Sequence, residues 1–144
     1  MAETTPRHSV SVAAAIVRED GRILAIQRRD NAKWEPPGGV LELEEAIEDG
    51  LRREVLEETG LAVEVDRLTG VYKNLERGIV ALVFRCTPGA GEPSTTLEAA
   101  AVKWLEAAEI RNLMDPAYAV RMLDALQASA APAIRAHDGV SVLP

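Results

Sequence analysis

A chain of 144 residues with 47% hydrophobic and 27% charged positions is long enough to bury one core and too short for two domains. Its formal charge of −7 argues against a basic nucleic-acid-binding face, and no run of about 18 apolar residues offers a membrane helix. The single cysteine, Cys86, excludes an internal disulfide and suits a reducing compartment, and no Cys/His cluster suggests zinc.

The first ten residues, MAETTPRHSV, lack a basic region followed by a long apolar run, so no signal peptide is read there and a cytoplasmic location is expected. Residues 1–8 read as a loose leader. Ser9 to Arg18 is rich in β-branched and small apolar residues, as a buried strand is. Glu19-Asp20-Gly21 has turn chemistry and Arg22 to Arg28 reads as a second strand, which together predict a hairpin. Arg28 is either a solvated strand end or a side chain that holds a substrate phosphate. Trp34 to Gly39, WEPPGG, is a turn in which two prolines fix φ and two glycines allow close backbone approach. Trp34 either stacks on a base or packs over the edge of the core.

Glu44 to Thr59 is predicted as one helix, uninterrupted by proline, with Gly60 where a left-handed C-terminal residue belongs. Ile47, Leu51 and Val55 recur every four residues and give an apolar stripe. Glu54, Glu57 and Glu58 stand at i, i+3 and i+4, so their carboxylates share one patch in the last turns. Repulsion between like charges at that spacing costs a few tenths of a kcal/mol per pair, and acids at a helix C-terminus oppose the macrodipole by roughly 0.3–1 kcal/mol each. Three carboxylates gathered where stability disfavours them point to a divalent cation. The charge is local as well: residues 42–58 hold eight acids and two arginines, a net −6 of the chain's −7. Gly50 inside this helix costs about 0.5–1 kcal/mol against alanine, and either lets the catalytic loop or another strand approach closely or is tolerated drift.

Further on, Leu61 to Tyr72 alternates apolar and polar residues as one bent strand or two short ones broken near Gly70. Ile79 to Cys86 is the clearest strand, and Cys86 reads as a small core residue. Thr87 to Thr96 is an exposed loop. Val102 to Leu105 is a short strand, followed by a helical turn at Glu106 to Arg111. Asp115 to Gln127 is a helix with Pro116 at its first position. From residue 128 periodicity disappears. The expectation is one domain over 1–127 and a tail over 128–144 that is partly ordered at best.

The spacing Gly39-x5-Glu45-x7-Arg53-Glu54-Val55-x-Glu57-Glu58-x-Gly60-Leu61 resembles the Nudix box of the Nudix hydrolase superfamily, in its MutT-like branch. The resemblance implies an α/β/α sandwich around a central mixed sheet, an α+β arrangement for which periodicity alone gives only mixed α and β. It implies hydrolysis of a nucleoside diphosphate linked to another moiety, with Mg²⁺ (or Mn²⁺) as cofactor. On that resemblance Glu57 and Glu58 match the principal metal ligands, Glu54 a ligand or general base, and Arg53 with Glu45 the pair that orients the carboxylates. A carbonyl from the Gly38–Gly39 turn completes the metal set. A further acid from a later loop is common in the family; Glu98 and Glu76 are candidates, while Lys103 stands where some members have glutamate, which leaves the base open. Arg28, Trp34, Tyr72 and Arg77 are candidate substrate contacts. The expected partner is a small nucleotide, either a modified (d)NTP or a nucleoside-diphosphate sugar such as ADP-ribose; neither membrane nor nucleic acid is expected. A homodimer stays open, and the alternative function is a domain that binds a nucleotide without cleaving it.

Overall fold

The computed structural model describes residues 4–144; positions 1–3 of the expected leader lie outside the described residues. The spine of the fold is β1 (Ser9–Ile16), whose side chains alternate between two buried faces. Val12, Ala14 and Ile16 pack against Leu51 and Val55 of α1 (Ile47–Thr59), while Ala13 and Ala15 meet Tyr72, Val83 and Ala125 on the opposite side. A strand covered on both faces reads as a continuous apolar run, which is how this one looked in sequence.

Around β1 a five-stranded mixed sheet forms in the order β4-β1-β6-β5-β8, with β4 Gly38–Val40, β5 Val63–Asn74, β6 Ile79–Pro88 and β8 Ala133–His137. β1 runs parallel to β6 and antiparallel to β4; β5 runs antiparallel to β6 and parallel to β8. A smaller sheet, β3-β2-β7, joins β2 (Ile23–Arg28) to β3 (Trp34–Glu35) and β7 (Ala99–Leu105). α1 covers one face of the large sheet and α3 (Pro116–Ala125) the other, with α2 (Ala107–Leu113) closing the core over the small sheet. This is a mixed sheet between helices, the α/β/α sandwich that the box implied.

Four expectations need correction. β1 and β2 do not make a hairpin: both edges of β1 are taken by β4 and β6, and only the single bridge Val17↔Ile23 joins the two segments before they enter separate sheets. α1 begins at Ile47 rather than Glu44, because residues 43–45 turn ahead of the Ala46 N-cap. Ile47 consequently stands at the helix mouth and is 42% exposed, so the apolar stripe consists of Leu51 and Val55. The segment after 128 is more than a loose tail. β8 adds a parallel strand to β5 over five residue pairs, and His137 at its end is 2% exposed. Its alternation is too short to register as a strand in sequence, since the edge position leaves both Ile134 and Arg135 exposed.

Candidate active site

The end of α1 and the glycine strand β4 face one another. Gly60 closes the helix at φ 75°, in the left-handed region where glycine is favoured, and its N–H donates to the Leu56 carbonyl at 2.9 Å. That stop holds Glu54 and Glu58 beneath β4. Glu58 is 4% exposed and its Oε1 accepts the Gly38 N–H at 2.8 Å. Glu54 lies against Gly39 so closely that a Cβ there would sit 2.5 Å from its carboxylate carbon. Both β4 glycines are therefore required by clearance: Gly39 makes room for Glu54, and Gly38 could not carry a Cβ without meeting the β1 backbone at Val12 and Ala13.

A third acid arrives from the loop between β6 and β7. Glu98, Glu54 and Glu58 each place a carboxylate oxygen within 4.8 Å of the other two. The loop is tied to the helix end by Ser94 N–H to the Thr59 carbonyl at 2.8 Å and the Thr96 hydroxyl to the Glu58 carbonyl at 3.3 Å. Arg29 fastens it from the other side, donating to the Thr96 and Leu97 carbonyls. Glu57 lines the same cavity but is half exposed, its carboxylate 3.4 Å from Arg53, and it is not one of the three that converge. Glu76, the other late candidate, stays in the β5–β6 turn, where its N–H donates to Asn74.

Arg53 organises the cluster. It holds Glu45 with two hydrogen bonds, of 2.9 and 2.6 Å, and donates to Glu54 Oε1 at 2.9 Å. The clamp keeps the Glu45 carboxyl at about 2, below the usual carboxylate range, mainly through the Arg53 hydrogen bonds. Gly50 now has a reason: a Cβ there would lie 2.7 Å from Glu45 Oε1 and 2.5 Å from Leu41 Cδ1. The bare Cα of Gly50 lets Glu45, which precedes the helix, reach Arg53 almost two turns along it.

Burial pushes the Glu58 carboxyl up to about 8, with the Gly38 N–H opposing and the charges of Glu54, Glu35 and Glu98 adding to the rise. Glu54 is raised for the same leading reason, partly offset by Arg53. Two buried carboxylates with raised affinity for protons form a site that favours positive charge. The donors are all oxygen, and antiparallel pairing puts the Gly38 carbonyl on the same side of β4 as its N–H, toward Glu58. An oxygen-only set of this kind fits a hard divalent cation and not a soft one.

The cavity these acids line measures about 590 Å³ and is bordered by Arg28, Arg29, Asp30, Gly38, Gly39, Val40 and Leu97. Arg28 lies at its mouth, engaged with Asp30 at 2.8 Å and Glu35 at 3.1 Å. Trp34 and Arg77 line an adjoining cavity of about 500 Å³, with Trp34 also packed on the cluster under α2 and α3. Tyr72 is a correction: it is fully buried on the α3 side, its hydroxyl donating to Asp124 at 2.7 Å, because the β5 alternation turns that position into the core. Cys86 is buried in the core with its thiol pushed up to about 12, as its reading as a core residue required. Sequence reasoning missed Glu35, Asp30 and Arg29; they lie outside the box, and no spacing marks them.

The profile of the NUDIX domain matches residues 7–126. The chain is a Nudix hydrolase. A MutT-like protein of Streptomyces ambofaciens is 59% identical over 143 residues, covering 99% of this chain and 92% of that one. An ADP-ribose pyrophosphatase of Methanocaldococcus jannaschii is 34% identical over 84 residues, 54% of this chain and 50% of that one. A crystal structure of a NUDIX hydrolase from Nitrosomonas europaea shares the fold with TM-score 0.81 at 21% identity, covering 93% of this chain and 82% of that one. No helix among the described residues is long and apolar enough to cross a membrane.

Proposed function

We propose that this Nudix hydrolase cleaves the pyrophosphate bridge of a nucleoside diphosphate linked to a further moiety, with a divalent cation held by Glu54, Glu58 and Glu98. The observation that carries the reading is the convergence of these three carboxylates within 4.8 Å on a cavity rimmed by Arg28 and Arg29. Mg²⁺, or Mn²⁺ in its place, would supply charge neutralisation for the diphosphate and Lewis acidity at phosphorus.

The chain's own residues do the rest. Arg53 and Glu45 fix the orientation of Glu54, so the carboxylate is placed before substrate arrives. The Gly38 N–H orients Glu58, and the Gly38 carbonyl offers a further oxygen to the cation. Glu57, half exposed on the same cavity, offers a further carboxylate oxygen to the cation. Arg28 binds the diphosphate by exchanging Asp30 for phosphate oxygens, since the guanidinium fork suits both. The water that attacks phosphorus would deliver its proton to a carboxylate of the cavity, which Glu54, Glu57, Glu58 and Glu98 all line. Trp34 and Arg77 border the space where the remote moiety is received.

The substrate class comprises modified nucleoside triphosphates and nucleoside-diphosphate sugars, among them ADP-ribose. Turnover of a panel of both, followed by phosphate or nucleotide release with Mg²⁺, Mn²⁺ or chelator, tests the reading. Hydrolysis that appears with the cation and vanishes with chelator is expected; no cation-dependent turnover across the panel would defeat it.

A further inference from the structure

Beyond the glycine strand lies a smaller cavity, of about 200 Å³, that shares Arg28, Gly38, Gly39 and Val40 with the carboxylate cavity. Arg121 of α3, Tyr118 and His137 line it as well. Arg121 is only 8% exposed, and its Nε has no hydrogen-bond partner. The rings of Tyr118 and Tyr72 lie 4.7 and 5.4 Å from its guanidinium carbon. Those faces help a buried cation survive, but they do not satisfy its N–H groups. Glu35, the carboxylate lining the same cavity, is bonded to Arg28 instead, at 3.1 Å.

The contact between Arg121 Nη2 and His137 Nε2, at 3.3 Å, does not repair this. His137 Nδ1 accepts the Gly139 N–H at 3.0 Å, so the neutral ring carries its proton on Nε2. Burial and the neighbouring Arg121 charge both lower the basicity of the ring, which keeps it neutral at pH 7. Two donors therefore point at one another across a gap that opens on the cavity. Buried donors without acceptors are rare in folded proteins, and here two converge on one space connected to the hydrolytic site.

We propose that Arg121 and His137 form a recognition subsite for the part of the substrate remote from the scissile bridge, one that takes adjacent acceptor atoms and rejects an amino group. This rests on the reading of the carboxylate cavity as the hydrolytic site. Two sources supply such acceptors. The keto edges of guanine and uracil present oxygen where adenine and cytosine present an amino donor; guanine adds N7 beside O6, an acceptor pair that suits an arginine fork, while uracil offers O4 alone. A phosphate or carboxylate on the remote moiety presents oxygens to the same fork.

Isothermal titration of the full-length protein in chelator, with GMP, UMP, AMP, CMP and ribose 5-phosphate, separates them without any hydrolysis, so its outcome is independent of whether the enzyme turns over. With a base edge as occupant, GMP and UMP bind at least about tenfold tighter than AMP and CMP, and Arg121→Met erases the difference. With an anion as occupant, all five bind alike, Arg121→Met weakens all alike, and Arg121→Lys restores most of the affinity because a point charge suffices. The proposal is overturned if no probe binds, if Arg121→Met leaves every affinity within about twofold, or if AMP and CMP bind tighter than GMP and UMP. Arg121→Met replaces an unpaired buried charge with an apolar chain and should melt no lower than wild type; were it not to fold, Arg121→Lys carries the same comparison through the keto-versus-amino preference, which a lysine cannot reproduce.

Discussion

Glu58 holds a proton under conditions where an ordinary carboxylate would have released it. Its native value, about 8, lies above the reference of 4.5, so the folded cation-free protein binds a proton that the unfolded chain has lost. Stability from that neutral carboxyl is fully present below the unfolded value and is lost as pH rises through the native one. The cation-free protein should melt lower at pH 8.5 than at pH 6, and Glu58→Gln should flatten that slope in calorimetry. Parallel slopes for the two proteins would show that Glu58 is not the group responsible. The same substitution is expected to lower cation-dependent kcat by at least about 100-fold, a range usual for loss of a charge-stabilising group. Gly50 sets two effects against each other. Alanine gains about 1 kcal/mol of helix propensity, while a Cβ there collides with Leu41 and with Glu45, which Arg53 clamps in place. Overpacking of this kind costs about 1–3 kcal/mol, so clash wins: Gly50→Ala should lower the urea midpoint and the turnover together, and a stabilised, fully active variant would break the account of Glu45.

At the scale of elements, α1 was legible and its neighbours less so. Arg53, Glu54, Glu57 and Glu58 lie within one helix that Gly60 closes, where local spacing fixes which side chains share a face. The start of that helix was misplaced because acids at 44 and 45 favour a first turn as readily as a turn ahead of one. Glu98 was visible only as one acid of two, since a loop delivers it across 40 residues of chain and nothing local marks where it lands. The β1–β2 hairpin failed for a related reason: turn chemistry at Glu19 to Gly21 was read correctly, but which strand claims the edges of β1 is decided by β4 and β6. Gly60 is the element's stop, at φ 75°. An alanine forced into that left-handed conformation costs about 1–2 kcal/mol, so Gly60→Ala should lose about that much in denaturant titration. A loss below about 0.3 kcal/mol would mean that the helix end adjusts and the cap does not fix Glu58.

Across the whole molecule the sandwich was foreseeable from the box, yet the chain's own closure was not. β8 follows a run of alanine, serine and proline that carries no periodicity, and its pairing partner, β5, is about 60 residues earlier. What holds it is non-local. Arg135 makes two hydrogen bonds of 2.8 Å with Asp124 of α3, and the same carboxylate accepts the Tyr72 hydroxyl of β5 at 2.7 Å. The His137 carbonyl accepts the Leu75 N–H at 3.0 Å, and the Val140 carbonyl accepts the Ala117 N–H at the start of α3 at 2.9 Å. One acid thus joins strand, helix and terminal strand, and α3 leans on the last residues at its own N-terminus. Ending the chain at Gln127 removes the bonds made by Arg135, His137 and Val140 and bares the β5 edge to other chains. With a net contribution of about 1 kcal/mol per hydrogen bond lost, the truncated protein should be less stable by at least about 3 kcal/mol, equivalent to a melting temperature lower by on the order of 10 °C. It should also associate at concentrations where the full chain stays dispersed, which light scattering would detect. A 1–127 protein that melts within about 3 °C of the full chain and remains monodisperse would instead put the boundary of the folding unit before β8, and would leave His137 without a structural claim on the Arg121 cavity.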